Sequence, residues 1–288
     1  MRYLAAFLLL LLAACGGDPV GGDAEPAPAL WEISDTKGEP VGWLFGTIHA
    51  LPSGTRWRTA RLDEALAAAD ILAVEIDLED DRADVAQLFA RLAATPGLPP
   101  LSQRVAPRFR DELARLMQRG GLKDGHFRST ETWAAALTLS NVDSGNDSEN
   151  GVDRLLARDF DGPLVELEGF ENQLSIFDLM PEPTQRALLD AIVEDADDDE
   201  AERRKYANLW RSGDTDAIAA EADGGMLANP GLRKALVTDR NRDWAEKIDA
   251  LIRSGRKTFV AAGTGHMIGA DSVPQMLAAR GYTVRRIQ

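Results

Sequence analysis

Runs of apolar residues mark the first elements of the chain. The segments "LWEIS" (30–34) and "VGWLFGTIH" (41–49) flank the turn-like "DTKGEP", a pattern that predicts a β-hairpin. In "RTARLDEALAAAD" (58–70) the apolar positions recur at helical spacing and define one face of a helix. The apolar run "ILAVEIDLED" (71–80) then predicts a short buried strand with an acidic end.

The rest of the chain alternates helical and strand patterns. Residues 81–160 are mostly helical in pattern, "GPLVELEGF" (162–170) returns to strand character, and further helices are predicted over 171–254. The closing segments "KTFVAAGTGH", "SVPQMLAARG" and "YTVRRI" read as strand, helix and strand. This alternation predicts an α/β fold with a central mixed sheet flanked by helices, in which the helical insertion 81–160 is a candidate lid.

The N-terminus has the pattern of a bacterial lipoprotein signal. Arg2 precedes an unbroken apolar run over residues 4–14, which is too short to span a bilayer and suits the core of a signal peptide. The run ends in "LAAC", which resembles the lipobox of bacterial lipoproteins, so Cys15 is the expected lipidation site. The alternative is an ordinary secretory signal followed by a cysteine without a role.

These features predict the organisation of the whole chain. We expect a signal peptide over residues 1–14, a flexible tether rich in Gly, Pro and Ala over 15–29, and one folded α/β domain over 30–288. The expected location is the bacterial cell envelope, with a lipid anchor in the outer membrane on its periplasmic side if the cell is Gram-negative.

Charge and cysteine content exclude several classes of function. The 288-residue chain has a formal net charge of −15, which argues against nucleic-acid binding and against electrostatic binding to anionic lipid. Cys15 is the single cysteine of the sequence. An internal disulfide, a thiol nucleophile and a cysteine-rich zinc site are therefore excluded.

One four-residue word, Gly-Thr-x-His, occurs twice in a chain that has only three histidines. "GTIH" ends at His49 and "GTGH" ends at His266, and each follows an apolar strand pattern that runs into the glycine. Glycine lets the chain turn sharply and lets another group approach the backbone. Each histidine is therefore predicted just beyond the carboxyl end of a strand, at the edge where open α/β sheets bind ligands.

Carboxylates are also predicted near the carboxyl ends of apolar strands. Glu75 lies in the apolar "LAVEID" and Glu168 in "LVELEG", and a buried carboxylate is costly unless it is paired or bound to a metal. Two histidines and one carboxylate form a common open-sided ligand set for Mn, Fe, Co or Zn. We therefore expect His49 and His266, together with at least one of these carboxylates, to hold a divalent metal that activates water.

Other interpretations of these residues remain open. A histidine at a strand end can be part of a structural hydrogen bond, and Glu75 can cap a neighbouring helix. "GTGHMIG" also reads as a variant dinucleotide loop, but only one helix and one strand follow it, too little for a nucleotide-binding half. His126, in the polar "LKDGHFRS", is expected to be a loop residue.

Six blocks of sequence, taken together and in order, resemble the TraB/GumN family, whose animal relatives include the Tiki metalloproteases. The blocks extend over roughly residues 30–287 and read "LWEIS…WLFGTIHALP", "ILAVEID", "GVDRLLAR", "LVELEGFENQL", "LVTDRNRDWAEKI" and "FVAAGTGHMIG". In this resemblance His49 and His266 match the histidines of two Gly-x-x-His motifs, and Glu75 matches their acidic partner. Active members of the family use a divalent metal, often Mn or Co, to hydrolyse peptide bonds.

The resemblance implies roles for further residues. Glu168, Gln173, Arg240 and Asn241 match other motif positions of the family, and Arg240 is suited to bind a substrate carboxylate or a developing oxyanion. The sequence departs from the family pattern at Gly169, where a small hydroxyl residue is expected.

The expected function is that of a divalent-metal-dependent hydrolase, foremost a peptidase. Glu75 acts as ligand or general base, Glu168 is the second candidate base, and Arg240 and Asn241 complete the catalytic set. The alternative is a non-catalytic surface lipoprotein that binds a peptide, a metal or haem through the same histidines, and a third is a structural envelope protein with a degenerate pocket. The expected partners are a peptide or small-molecule substrate and the membrane that holds the lipid, whereas the oligomeric state is left open.

Replacing Cys15 by serine removes the predicted lipid acceptor. We expect Cys15→Ser protein to move from the membrane fraction to the soluble fraction, since the lipid supplies the anchoring free energy. Fractionation in high salt followed by immunoblotting measures this, with His126→Ala as a control that stays membrane-bound. A Cys15→Ser protein that loses its signal peptide and still sediments with membranes would contradict the lipoprotein interpretation.

Overall fold

The sheet and the helices around it are defined in a computed structural model that describes residues 20–21, 24–76, 82–142, 150–196 and 200–288. The predicted signal peptide and Cys15 lie outside the described residues. The strands are β1 Leu30–Ser34, β2 Pro40–Thr47, β3 Ile71–Val74, β4 Leu164–Glu166, β5 Thr258–Gly263 and β6 Thr283–Arg286.

Four of these strands run parallel. The sheet has the order β4-β3-β5-β2-β1-β6, and β4, β3, β5 and β2 pair in parallel, so their carboxyl ends share one edge. β1 pairs antiparallel with β2, as the hairpin pattern predicts, and also with the last strand, β6. The predicted α/β fold with a central mixed sheet is confirmed.

Helices surround the sheet and extend away from it. They are α1 Ala60–Ala67, α2 Arg82–Leu92, α3 Arg110–Arg119, α4 Thr132–Ser140, α5 Val152–Asp159, α6 Phe170–Asp178, α7 Glu182–Asp195, α8 Glu200–Ser212, α9 Thr215–Gly224, α10 Pro230–Arg233, α11 Asp239–Arg253, α12 Thr264–Met267 and α13 Val273–Ala279. In the part of the chain that the structure describes, none of them has the length and hydrophobicity needed to cross a bilayer.

Both faces of the sheet bury apolar side chains, as expected for parallel strands covered by helices. Side chains alternate along β2, so Trp43 and Phe45 pack on one face with α1, α5 and α8. Leu44 packs on the opposite face with α11 and α13. The strand-end residues are thereby held between two layers of helices.

A third apolar cluster is made of helices alone, and it differs from the candidate lid 81–160. It joins α3 and α4 to α6, α7 and residues 226–237, whereas α5 packs on the sheet. The backbone amide of Trp133 in α4 donates to Oε1 of Gln185 in α7 at 3.0 Å. Because such contacts join distant parts of the chain, the helical unit has three sequence segments, separated by α5 and α8, and its boundary could not be read from one continuous pattern.

The segment predicted as a flexible tether is packed over its described part. Val20 is buried, and the guanidinium of Arg211 donates to the carbonyl oxygens of Gly21 and Ala24. The amide of Ala27 in turn donates to the carbonyl oxygen of Arg211 at 2.9 Å. The ordered structure therefore begins before the predicted start at residue 30, because one distant arginine binds backbone carbonyls that leave no apolar pattern in the sequence.

Candidate active site

Polar residues follow each of the four parallel strands at their common carboxyl edge. His49 lies two residues beyond β2, Glu75 directly follows β3, and Glu168 lies two residues beyond β4. His266 belongs to the short helix α12 that follows β5. Arg240, from α11, reaches into the middle of this group. Residues that are far apart in sequence thus form one cluster.

The two Gly-Thr-x-His words lie side by side on neighbouring strands. Thr47 of the first and Gly263 of the second are register partners in the pairing of β2 with β5. The hydroxyl of Thr264 donates to the carbonyl oxygen of Thr47 at 2.9 Å. A Cβ on Gly46 would lie 2.7 Å from that hydroxyl, so the glycine allows the second word to rest against the backbone of the first.

Arg240 connects three strand ends through its guanidinium group. It donates to both carboxylate oxygens of Glu168, at 3.1 and 2.8 Å, and to Oε2 of Glu75 at 2.9 Å. Its Nη1 contacts Nε2 of His266 at 3.2 Å and the carbonyl oxygen of Leu236 at 3.3 Å. The side chains of Arg240, Glu75 and Glu168 are each only 6–7% exposed, so these charges interact with little screening by water.

The two carboxylates differ in their affinity for a proton. Burial raises the pKa of Glu75, but the positive charges of Arg240 and His49, with a 2.7 Å hydrogen bond from the amide of Gly263, bring it below its usual value. Burial and the nearby charge of Glu75 outweigh Arg240 at Glu168 and raise the pKa of that carboxyl. The two shifts have opposite directions, so Glu168 has a higher affinity for a proton than Glu75.

A carboxylate from another element holds His49. Nδ1 of His49 lies 3.0 Å from Oδ1 of Asp153, in the first turn of α5, and the two side chains are 10% and 13% exposed. Burial lowers the pKa of His49, but the charge and hydrogen bond of Asp153 and the charge of Glu75 outweigh it and raise the pKa to about 9. In this arrangement His49 is an imidazolium at neutral pH.

An amide side chain holds His266 in the same way. Nδ1 of His266 lies 2.5 Å from Oδ1 of Asn241, whose Nδ2 donates to the carbonyl oxygen of Asp271 at 2.7 Å. Burial and the positive charge of Arg240 hold the pKa of His266 well below its usual value. His266 is therefore neutral, whereas His49 is positively charged, although both end the same four-residue motif.

Trp244 packs against the centre of the cluster, and sequence reasoning missed it. Its ring centroid lies 4.2 Å from that of His266, and Cζ of Arg240 lies 4.7 Å from its ring. The spacing of residues along α11 could have indicated it. Trp244 follows Arg240 by four residues and Asn241 by three, so all three lie on one face of the helix.

Asp153 was also missed as a site residue, although it lies in the quoted block "GVDRLLAR". Its partner His49 is 104 residues away in sequence, and no local pattern reports that contact. The backbone supports it, because the amide of Val152 donates to the carbonyl oxygen of Ile48 at 2.9 Å.

Gly169, the departure from the family pattern, has a structural explanation. Its φ is +81°, a backbone conformation that residues other than glycine rarely adopt. Its amide donates to the carbonyl oxygen of Glu75 at 3.3 Å, which ties the end of β4 to the end of β3. Gln173 lies half-buried on α6, which starts directly after this turn. His126 is exposed in a 3-10 turn, in agreement with the expectation of a loop residue.

The donor types, two imidazoles and a carboxylate, suit a divalent metal, but the side chains do not converge on one point in this structure. Among the described residues, no three His, Cys, Asp or Glu side chains are already arranged to hold an ion. Both imidazoles, however, have Nδ1 engaged by a side-chain oxygen, which is how metal-binding histidines are usually held, and Glu75 adds a carboxylate. The cation that contacts Glu75 and His266 in this arrangement is the guanidinium of Arg240.

The fold and the site define an α/β protein with a buried cluster of histidine, glutamate and arginine at the carboxyl edge of a parallel sheet. The chain belongs to the TraB/PrgY/gumN family, whose sequence profile matches residues 29–286, and the resemblance seen in the sequence is confirmed. Two curated relatives, each called uncharacterized protein YbaP, come from Escherichia coli K12 and Shigella flexneri. Each is 26% identical over 245 residues, which cover 81% of this chain and 86% of the relative. No solved structure matched significantly.

The close contact between the two repeated words predicts the effect of a methyl group at Gly46. In Gly46→Ala the new Cβ would meet the hydroxyl of Thr264 at 2.7 Å, so one strand end must move. We expect a loss of about 1–3 kcal/mol in the free energy of unfolding, measured by urea denaturation. In the control Gly125→Ala the Cβ meets no atom within 4 Å, and equal stability of the two variants would contradict the close approach.

Proposed function

We propose that this protein is a divalent-metal-dependent hydrolase of the bacterial envelope and that its substrates are peptides. One observation supports this most: two imidazoles, each with Nδ1 held by another side chain, lie at one sheet edge together with buried carboxylates. The positive charge of His49 acts on the pKa of Glu75, and Arg240 contacts both Glu75 and His266, so the three groups lie close together. Two histidines and a carboxylate are a frequent metal-binding set in hydrolases.

Nε2 of His266, the carboxylate of Glu75 and, once the His49 imidazolium has lost its Nε2 proton, Nε2 of His49 would hold the ion. Bound there, a divalent ion would supply a Lewis acid that polarises a carbonyl and lowers the pKa of water. Glu75 remains ionised because its pKa is lowered, which suits a ligand better than a base. Glu168, with its raised pKa, accepts and returns the proton.

The remaining residues act on the substrate or on the histidines. The guanidinium of Arg240, buried beside both carboxylates, donates hydrogen bonds to a developing oxyanion or to a substrate carboxylate. Asn241 is fully buried and contacts His266, so its role is to hold that ring. A proton carrier and an oxyanion donor are the groups that peptide-bond hydrolysis requires, and this agrees with the peptidase activity that the family resemblance implies.

The proposed location depends on the N-terminal sequence. "LAAC" after a short apolar run supports a lipid on Cys15, and the residues that follow connect this anchor to the folded domain. The protein would thus meet its substrates at a membrane surface of the envelope.

One observation favours the alternative, a non-catalytic protein that binds a peptide, a metal or haem. Arg240 already compensates Glu75 and Glu168 and contacts His266, so the cluster is satisfied without an ion. A site in this state can hold a ligand without turning it over.

Metal content and peptide hydrolysis decide between these functions. We expect purified protein to retain one divalent ion per chain and to cleave members of a fluorogenic peptide library. His49→Ala and His266→Ala should each weaken metal binding by on the order of 100-fold or more and abolish cleavage. Plasma mass spectrometry and the cleavage assay measure both properties.

His126→Ala is the matched control, since this exposed histidine lies outside the cluster. Stoichiometric metal without cleavage in wild type would support the binding protein. Undiminished metal in both strand-end variants would leave the repeated word as a structural turn.

Removing Arg240 should separate metal binding from turnover. Because its guanidinium contacts Glu75 and His266, Arg240→Ala should bind Co²⁺ more tightly than wild type while cleavage falls by about 100-fold or more. Titration with Co²⁺ and the cleavage assay measure the two effects, with thermal melting as a check on folding. The control is Arg242→Ala, an exposed arginine on the same helix. Loss of Co²⁺ binding in Arg240→Ala would contradict competition between the guanidinium and the ion.

A further inference from the structure

The two site histidines are held by the same atom in chemically different ways. Nδ1 of His49 faces the carboxylate of Asp153 at 3.0 Å, and Nδ1 of His266 faces the amide oxygen of Asn241 at 2.5 Å. Neither partner belongs to a Gly-Thr-x-His word, and they come from helices on opposite faces of the sheet, α5 and α11. A different side chain therefore holds the histidine of each Gly-Thr-x-His motif.

The hydrogen bonds around His266 fix which of its nitrogens has the proton. Nδ2 of Asn241 donates to the carbonyl oxygens of Asp271 at 2.7 Å and of His266 at 3.4 Å, so Oδ1 must be the atom that faces the ring. Since Oδ1 can only accept, Nδ1 of His266 has the hydrogen. Nη1 of Arg240 can only donate, so Nε2 of His266 presents its electron pair.

At His49 a single side-chain contact determines that Nδ1 has a hydrogen. The carboxylate of Asp153 can only accept from Nδ1, so a metal would bind His49 through Nε2, in place of the proton that Nε2 has in the imidazolium. Asp153 lies in the first turn of α5, where a negative charge is favoured by the helix dipole. The hydrogen bond from the amide of Val152 to Ile48 sets that turn directly beside the end of β2. The strand end and the carboxylate are thus positioned together.

We infer that Asp153 and Asn241 are a matched pair of positioning residues that make Nε2 the ligand atom of both histidines. Their difference in charge makes the two ligands unequal, because a carboxylate partner makes an imidazole a stronger electron-pair donor than a neutral amide does. His49 is the stronger metal ligand, and His266 shares its electron pair with Arg240. The metal-binding part of this inference rests on the proposed function, whereas the placement of the two protons does not.

Nuclear magnetic resonance of the metal-free protein tests the proton placement. The sequence has only three histidines, and His126→Ala identifies the third, so the imidazole signals can be assigned by substitution. We expect protected Nδ1–H signals from His49 and His266 in wild type. Asp153→Ala should remove only the first and Asn241→Ala only the second, whereas Asp153→Asn, which keeps an acceptor oxygen, should retain both. Survival of both signals in the alanine variants would overturn the inference.

Titration with Co²⁺ tests the consequence for metal binding. We expect Asp153→Ala and Asn241→Ala each to weaken the affinity by about 10–100-fold, with the greater loss for Asp153→Ala. Asp153→Asn should lie between wild type and Asp153→Ala, because it restores the acceptor but not the charge. The controls are Asp159→Asn at the end of α5 and the exposed Asp243→Ala on α11, which should bind as wild type. Unchanged affinity in both alanine variants would overturn the positioning role.

The two measurements distinguish failure of the proposed function from failure of the positioning pair. If wild type binds no Co²⁺ but the Nδ1–H signals behave as expected, the proposed metal-dependent function fails and the positioning of the rings stands. If metal binds with the same affinity in all variants, the function stands and the positioning pair fails. Because Asn241 is fully buried, Asn241→Ser provides a second variant too short to reach Nδ1, and thermal melting shows which variants are folded.

Discussion

The site depends on one buried cation, the guanidinium of Arg240. It binds two carboxylates and contacts one imidazole, and these groups come from three different strand ends. Transfer of a single charge from water into protein costs several kcal/mol, and the cost is offset here because the opposite charges are buried with it. The position of α11 and the positions of the strand ends are thereby coupled, since a shift of either would leave a buried charge without compensation.

Stability alone gives no reason for such a cluster. Well-packed apolar residues in place of a buried ion pair are often neutral or stabilising by about 1–4 kcal/mol, and apolar side chains already cover both faces of this sheet. Side chains with strongly shifted pKa values cluster at the functional sites of proteins. Here the pKa of His49 is raised and that of His266 is lowered, although both end the same four-residue word. The surrounding side chains, and not the word itself, determine the properties of each ring.

The sequence predicted much of the fold and the outline of the site. The hairpin, the strands that end near His49, Glu75 and His266, and the final strand–helix–strand unit followed from apolar patterns, which report burial along the chain. The family resemblance added Arg240, whose role no local pattern indicates. The contact of His49 with Asp153, across 104 residues, and the binding of Ala24 by Arg211, across 187, could not be predicted, because they depend on how distant elements pack.

The order of the strands also determines when the site can exist. β5 lies between β3 and β2 in the sheet but follows both in the chain, and the hydrogen bond between Thr47 and Thr264 joins residues 217 positions apart. A growing chain that has reached residue 257 has β2, β3 and β4 but lacks the strand that connects them, together with His266. The cluster therefore cannot form in a chain that stops before β5 and α12. A fragment that ends before residue 258 lacks both the strand between β3 and β2 and one of the two histidines of the cluster.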